Sequence, residues 1–493
     1  MEFLNPEEKK AKTKKLFMAY GLAVVAVVSI TTVLSFVLQG VDLLSRQTEA
    51  KNGLLFVNSQ PISSNIFIDD KPNKRTESRF VLPEGSYNLK LTEPGYRDWQ
   101  KQVQVVGGQV RYEIYPWLFP TNIKTDNIVS YTETPPIYTQ SLDKKWLIVA
   151  PSRLQTALSK YDLGDPTLPS VALSIPPNII NNEEMLNATF TEIEWANNNK
   201  QVLFKKSIAN GPAKYILIDI EKPEQSIDLN ALFALSSESV FSLRDQKADK
   251  FYILDKTTKI LKSASISNGI EPKVYAENVI DYKTYGNEII MYTTNSGSSD
   301  GFVAVRVINN NENYLLEPIK NSPNVYLDIA TYENEYYYIT GSKSNESVNI
   351  YINPLSQTPN IVDNGVISSQ LKLQINDLAK VSFSPNTRFI AGQSGQDFVV
   401  YDAELTKTYQ FKAPLSLANN NIYEWMDGHR FISFDNNGLI NIFEFDGQNN
   451  QIILPNLGFN KVYFDKDYKF MINLVKSQSG GVNLQQSNLR APN

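Results

Sequence analysis

The single histidine, His429, is the first place to look for proton chemistry. It lies in Trp425-Met-Asp-Gly-His-Arg430, where the Asp-Gly pair signals a turn between strands. A solvated turn residue is therefore expected there rather than a general base. The chain has no cysteine, which removes thiol nucleophiles, thiolate metal sites and disulfides together. A serine triad would have to recruit His429, and no Gly-x-Ser-x-Gly elbow precedes it. Zinc and copper lack ligands for the same reason.

Carboxylates are the remaining candidates. Glu183, Glu184, Glu192 and Glu194 cluster, and a glycoside hydrolase needs only two acids facing each other at the correct separation. Clusters of this local kind are more often solvated faces. Asp465 and Asp467 could meet calcium, but the spacing of an EF-hand is missing. Gly392-Gln-Ser-Gly395 reads as a turn, not a phosphate loop. The Asn-rich stretches 197–199, 309–311 and 419–421 offer amides to sugars or peptides and are equally good turn formers. No catalytic residue, cofactor or metal ligand is assigned. With a net charge of -5, nothing resembles the basic stripe that nucleic acid requires.

These residues need elements to position them, and the clearest element carries no chemistry. Residues 16–38 are uncharged, LFMAYGLAVVAVVSITTVLSFVL. As a helix they would span about 34 Å, enough for a hydrocarbon core of about 30 Å. Leu16, Phe17, Leu22, Val24, Val25, Val27, Val28, Ile30, Val33, Leu34, Phe36 and Leu38 would form its lipid-facing surface. Lys9, Lys10, Lys12, Lys14 and Lys15 precede it, which orients the N-terminus to the cytoplasm. A cleaved signal peptide is the rival reading; its apolar region would be shorter, and Val37-Leu38-Gln39-Gly40 makes a poor cleavage site.

From Gly53 to Tyr115 strand-length alternating runs are separated by turn residues. Leu54–Val57, Asn65–Ile68, Ser86–Leu91, Gln100–Val106 and Gln109–Tyr115 are the expected strands, with a hairpin at Gly107-Gly108. The spacing of Val110, Tyr112 and Ile114 predicts one buried face. Pro83, Glu84, Gly85, Ser86, Gly95 and Tyr96, with Asn58-Ser59-Gln60-Pro61 and Asp69-Asp70, make this stretch resemble the PEGA domain. That module is a small β-sandwich; Ser86 stands where its signature has Ala. The resemblance implies a bacterial or archaeal envelope protein and an architectural role for the motif. Gly85 and Gly95 are read as positions that need a positive φ.

Beyond the connector Tyr115-Pro116-Trp117-Leu118-Phe119-Pro120 a unit recurs. Apolar second strands begin near Trp146, Val202, Phe251, Ile289, Tyr336, Phe389, Phe431 and Phe470, a mean period of about 46 residues, suited to four-stranded blades. The turns before them supply Asn, Asp, Gly or Pro where a hairpin needs them. The clearest copy, Val381-Ser-Phe-Ser-Pro-Asn-Thr-Arg-Phe-Ile-Ala-Gly followed by Phe398-Val-Val-Tyr-Asp402, resembles WD40 and TolB-like propeller blades, with Asn386-Thr387 replacing Asp-Gly.

The expected fold is an all-β ectodomain after one N-terminal transmembrane helix, a small PEGA-like β-sandwich followed by a seven- or eight-bladed β-propeller. The divisions are a cytoplasmic tail 1–15, transmembrane helix 16–38, stalk 39–52, sandwich 53–115, propeller 121–476, and a C-terminal strand and flexible tail 477–493. The expected function is a membrane-anchored, extracytoplasmic binding or scaffold protein of the bacterial cell envelope, not an enzyme, whose propeller binds a protein or cell-wall glycan partner. The alternative is an anchored glycoside hydrolase using propeller carboxylates. The expected location is the cell membrane, single-pass, with the C-terminal domains outside the cytoplasm. Oligomeric state is left open.

Overall fold

The structure, a computed structural model, describes residues 20, 22–29, 31 and 51–490, apart from 210, 234–237, 268–270, 287–288, 311, 357–361, 364, 414–422, 435–438, 456–460 and 479. Most of the expected span lies outside the described residues, as do Leu16, Phe17, Ile30, Val33, Leu34, Phe36, Leu38, the five lysines and the Asn run 419–421. Leu22, Val24, Val25, Val27 and Val28 are helical and exposed. The Thr31 hydroxyl donates to the Val27 carbonyl at 2.8 Å, the back-bond that satisfies a hydroxyl in apolar surroundings. Among the described residues no helix is long and apolar enough to cross a membrane. Contacts divide the chain into two units, the first reaching Asn122 and the second running Ile123–Arg490.

The first unit is two sheets. One has three strands, Ser78–Pro83, Asn52–Val57 and Val110–Glu113 in that order; the other has four, Lys71–Arg75, Asn65–Ile68, Gly85–Thr92 and Trp99–Val105. Alternation builds the core: Leu55, Val57, Ile66, Ile68, Leu89, Leu91, Trp99, Val103 and Val105 face one another between the sheets. The connector belongs here too. Leu118 and Phe119 are buried, and the Leu118 N–H donates to the Gln60 carbonyl at 2.8 Å.

Two expectations about strand pairing and facing fail in this unit. Gly107-Gly108 does not close a hairpin, because Trp99–Val105 and Val110–Glu113 belong to different sheets. The second of these strands instead runs parallel to Asn52–Val57. Val110, Tyr112 and Ile114 alternate as expected but on the opposite side: all three are exposed, while Glu113 is buried. Period alone sets alternation, and pairing sets which face goes inward.

The second unit is a succession of antiparallel four-stranded sheets, eight among the described residues. The fourth is extended at its outer edge by the short strands Val366–Ile367 and Val362–Asp363. Their second strands are Trp146–Val149, Gln201–Ile208, Lys247–Asp255, Ile289–Thr294, Glu335–Ser342, Phe389–Ser394, Arg430–Phe434 and Phe470–Lys476. Runs such as Val202-Leu203-Phe204 are apolar on both sides because each sheet is sandwiched. Val202 and Phe204 pack with Ile148 and Leu158 of the preceding sheet. Leu203 packs with Phe241, Phe251 and Ile253 of the following one. A two-faced buried strand loses the hydrophobic–polar alternation of a surface sheet.

The last sheet is completed by the first strand. Thr125–Tyr131 pairs antiparallel with Val482–Asn488, and the Thr125 and Ser487 hydroxyls lie 3.0 Å apart. Residues beyond 476 were expected as a short strand and a fraying tail; here Val482–Asn488 is an interior strand paired on both edges. Joining the ends in one sheet removes a free edge from the ring.

Candidate functional site

The first-unit motif is a pair of crossovers tied together. Pro83 ends a strand of one sheet and Gly85 starts a strand of the other. The Glu84 carboxylate between them accepts the Gly107 N–H at 3.2 Å, and its own N–H donates to the Lys51 carbonyl at 3.1 Å. Gly107 is fixed by crowding: a Cβ there would lie 2.3 Å from Lys51 Cβ. Gly95 has φ +82°, in the region glycine favours. Gly85 does not, which corrects its expected role; a Cβ there would meet the Tyr87 ring at an ordinary 3.6 Å. Ser86 faces solvent, and Tyr96 turns the chain through an N–H bond to the Glu93 carbonyl at 3.0 Å.

In the second unit one turn design recurs between first and second strands. Ser141, Ala196, Ser384 and Asp465 donate their N–H to the carbonyl five residues on, at 2.9, 2.9, 2.9 and 3.2 Å. Three residues after each start, Lys144, Asn199, Thr387 and Tyr468 have φ of 59°, 58°, 59° and 51°. In two copies the serine hydroxyl donates to the side chain two residues on, Asp143 at 2.5 Å and Asn386 at 2.6 Å. The same hydroxyl accepts the N–H of Trp146 or Phe389. His429 sits in the related turn Asp427–Arg430. Its N–H donates to Asp427 Oδ1 at 2.8 Å, and its ring packs edge-on against Phe389 at 5.6 Å.

The suspected carboxylates are distributed rather than convergent. Glu184 pairs with buried Lys206 at 2.7 Å and caps the helix Asn182–Asn187. Glu183 shares that helix and is exposed. Glu192 and Glu194 lie on Ala188–Trp195 with a bulge between them. Glu192 reaches back to the Thr139 hydroxyl at 2.7 Å and Lys461 at 3.0 Å. Glu194 reaches forward to the Leu243 N–H; burial lifts its carboxyl above the usual value. Asp465 accepts the Phe470 N–H at 2.6 Å, so it serves its turn, and the Asp467 carbonyl takes Arg490.

Similar bonds link the inner strands around the ring. The Ser242 hydroxyl meets Tyr282 at 2.7 Å, Lys283 pairs with Asp328 at 3.0 Å, and Lys380 donates to the Tyr423 carbonyl at 2.9 Å. Gln140 donates to the Phe464 carbonyl across the closing junction. A cavity of about 620 Å³ beside these strands carries Glu194, Asp245, Asp281, Asp328 and Lys283 on its wall.

A second cleft, of about 570 Å³, opens between the fourth and fifth sheets, with no formal charge among its lining residues. Tyr285, Tyr336 and Tyr338 supply ring surface, and Asn309, Asn310, Asn353 and Ser356 supply polar groups. The Tyr285 and Tyr336 rings meet edge to face at 6.1 Å and 82°. Tyr285 is held by the Thr331 hydroxyl at 2.7 Å. Tyr336, 40% exposed, is held by the side-chain oxygen of Asn353, which accepts its N–H at 2.8 Å. Of these residues only Asn309 and Asn310 were suspected from sequence, because the tyrosines come from distant segments; Asn311 lies outside the described residues.

Residues 52–115 match the model of the PEGA domain. No curated protein matches the chain. Among solved structures, the chain is similar to the C-terminal WD40 domain of Sif2, at 8% identity and a TM-score of 0.46 over 74% of this chain and 99% of that one. It is also similar to Kluyvelomyces marxianus Hsv2, at 10% identity and a TM-score of 0.39 over 73% and 100%. An oligogalacturonate lyase in complex with manganese matches at 10% and 0.37 over 75% and 98%. The chain carries a PEGA domain at residues 52–115, followed by a region of four-stranded antiparallel sheets consistent with β-propeller blades, the last of them completed by the region's first strand.

Proposed function

We propose that this chain is a single-pass membrane protein of the bacterial cell envelope whose PEGA domain carries an eight-bladed propeller outside the cytoplasm, where the propeller binds a glycan. The uncharged run 16–38 and the lysines before it support the anchor and its direction. The eight sheets and their closing strand support the blade count.

The observation that carries the binding reading is the cleft between the fourth and fifth sheets. Sugar rings present apolar C–H faces bordered by hydroxyls. Tyr336 and Tyr285 offer π faces and edges to the first; the amides of Asn309, Asn310 and Asn353 offer donors and acceptors to the second. The absence of formal charge in the lining suits a neutral sugar better than a charged peptide. The anchored sandwich then serves as a spacer that presents the cleft.

The test is calorimetric titration of full-length protein in nanodiscs with neutral oligosaccharides released from envelope polymers. Binding that falls about 3–10-fold in Tyr336→Ala, the worth of one aromatic contact, supports the reading. Binding unaffected by that change, or no binding to any glycan, overturns it.

A further inference from the structure

The PEGA domain has one wet outer face and one apolar outer face. On the four-stranded sheet the outward residues are Asn88, Lys90, Gln100, Gln102 and Gln104, cross-linked by bonds such as Gln100 to Asn88 at 3.0 Å and Lys90 to Asp98 at 2.9 Å. On the three-stranded sheet the register sets Val81, Leu54 and Val110 in one row and Arg79, Phe56 and Tyr112 in the next. Val81 is 59% exposed, Val110 39% and Tyr112 49%, and Ile114 just beyond them 59%. The Phe56 and Tyr112 rings stack at 5.3 Å.

That face is a feature of the sequence and not an accident of packing. Along Val110–Glu113 the apolar residues point out, while Glu113 is buried with the Arg111 guanidinium 2.6 Å away. An ordinary half-buried strand does the reverse. A cluster of this kind, with an arginine in the same row, marks an interaction surface.

Chain connectivity says what covers it. The central strand of this sheet starts at Asn52, fourteen residues after Leu38, where the uncharged run ends. Even fully extended, that tether holds Asn52 within about 50 Å of the end of the span, so the bilayer is present at high effective concentration. The chemistry matches the headgroup boundary: aliphatic Val81, Val110 and Ile114 for the acyl region, a tyrosine hydroxyl and aromatic ring for the interface, and a guanidinium for lipid phosphate. We infer that the Val81–Phe56–Tyr112 face of the PEGA domain rests on the outer surface of the membrane that anchors the chain. This rests on the anchor reading proposed above.

The absence of cysteine makes the test direct. Single cysteines are placed at Val81→Cys, Tyr112→Cys and, on the wet face, Gln102→Cys, and each full-length chain is nitroxide-labelled and reconstituted in phosphatidylcholine vesicles. Flotation after alkaline carbonate checks anchoring, and power saturation measures collision with oxygen against a water-soluble nickel complex. The expected result is an oxygen-to-nickel ratio several-fold higher for the labels at positions 81 and 112 than at 102, unchanged when labelled chains are diluted with unlabelled ones. Chains that float but show equal ratios at all three positions overturn this inference alone. Spin–spin broadening at position 81 that disappears on dilution overturns it in favour of a second copy on that face. Chains that do not float overturn the anchor, and this inference with it.

Discussion

Arg388 forks onto Asp402: Nε lies 2.9 Å from Oδ1 and Nη2 2.7 Å from Oδ2. Asp402 is fully buried and also accepts the N–H groups of Glu404 and Leu405. Arginine's fixed fork suits this geometry, and the pair clamps the turn Ser384–Phe389 to the end of the strand Asp397–Asp402. Asp402→Asn leaves the largely buried Arg388 guanidinium with only its ion pair to Glu404, so it is expected to lower stability by about 3 kcal/mol. Glu404, about a third exposed, is expected to cost about 1 kcal/mol or less when changed to Gln. Urea denaturation of both variants checks the contrast.

Glu184 gives acid sensitivity with a definite sign. Burial would raise its carboxyl, but the hydrogen bonds from Lys206 and the Asn181 N–H hold it below the ordinary value of 4.5. The folded state therefore binds this proton less readily than the unfolded state. Its stabilisation is present above pH 4.5 and lost as pH falls through the folded value. Glu184→Gln is expected to be less stable than the parent at neutral pH, because Lys206 is left buried without its carboxylate. That gap should narrow below pH 4.5, measured by thermal melts across pH.

Lys144 titrates on the alkaline side. Its ammonium sits 3.6 Å over the Tyr468 ring, and burial lowers its pKa to about 8 against the pull of Asp427 and Asp465. Between about pH 8 and the unfolded value of 10.5 the unfolded chain carries the extra proton, so this group makes stability rise with pH across that window. Carbon-13 NMR of reductively methylated protein, assigned with Lys144→Arg, should find one lysine titrating near 8.

Gly481 sits against the closing strand. A Cβ there would stand 2.4 Å from the Tyr131 carbonyl oxygen, which cannot move without breaking the pairing of Val482 with Tyr131. Gly481→Ala is expected to lower Tm by several degrees, whereas Gly95→Ala, strained only in φ, should cost about 1–2 kcal/mol. Calorimetry of the two variants compares closure with local strain.

Much of the propeller was legible because sandwiched sheets leave continuous apolar runs, and all eight expected second-strand runs fall in second strands. The turns were legible from Asn, Asp, Gly and Pro; the serine hydroxyls that tie two of them were not. Val482–Asn488 was not: its Gln and Asn residues look like a tail, yet pairing on both edges makes it interior. Lys71–Arg75 carries no apolar residue inward and contains proline, as edge strands do. Thus no pattern betrayed it. The inverted face at Val110 was hidden because alternation is symmetric between sides. Pairings such as Glu192 with Lys461 join residues 269 apart; only the folded ring brings them together. Asp162, Asp219 and Asp402 each end a third strand and cap the following turn; Asp402 was read as the end of the clearest blade copy, but Asp162, Asp219 and the capping role of all three were missed.

The side of the membrane that the two β units occupy is the central question. The cysteine-free chain allows one thiol to be introduced at a time, by Lys9→Cys before the uncharged run or by Gln396→Cys in the turn between Phe389–Ser394 and Asp397–Asp402. Wall-stripped cells expressing each variant are treated with a membrane-impermeant maleimide before and after lysis. The expected result is that the Gln396→Cys variant is labelled in intact cells and the Lys9→Cys variant only after lysis. Labelling of the Lys9→Cys variant in intact cells, or protection of the Gln396→Cys variant until lysis, would contradict it.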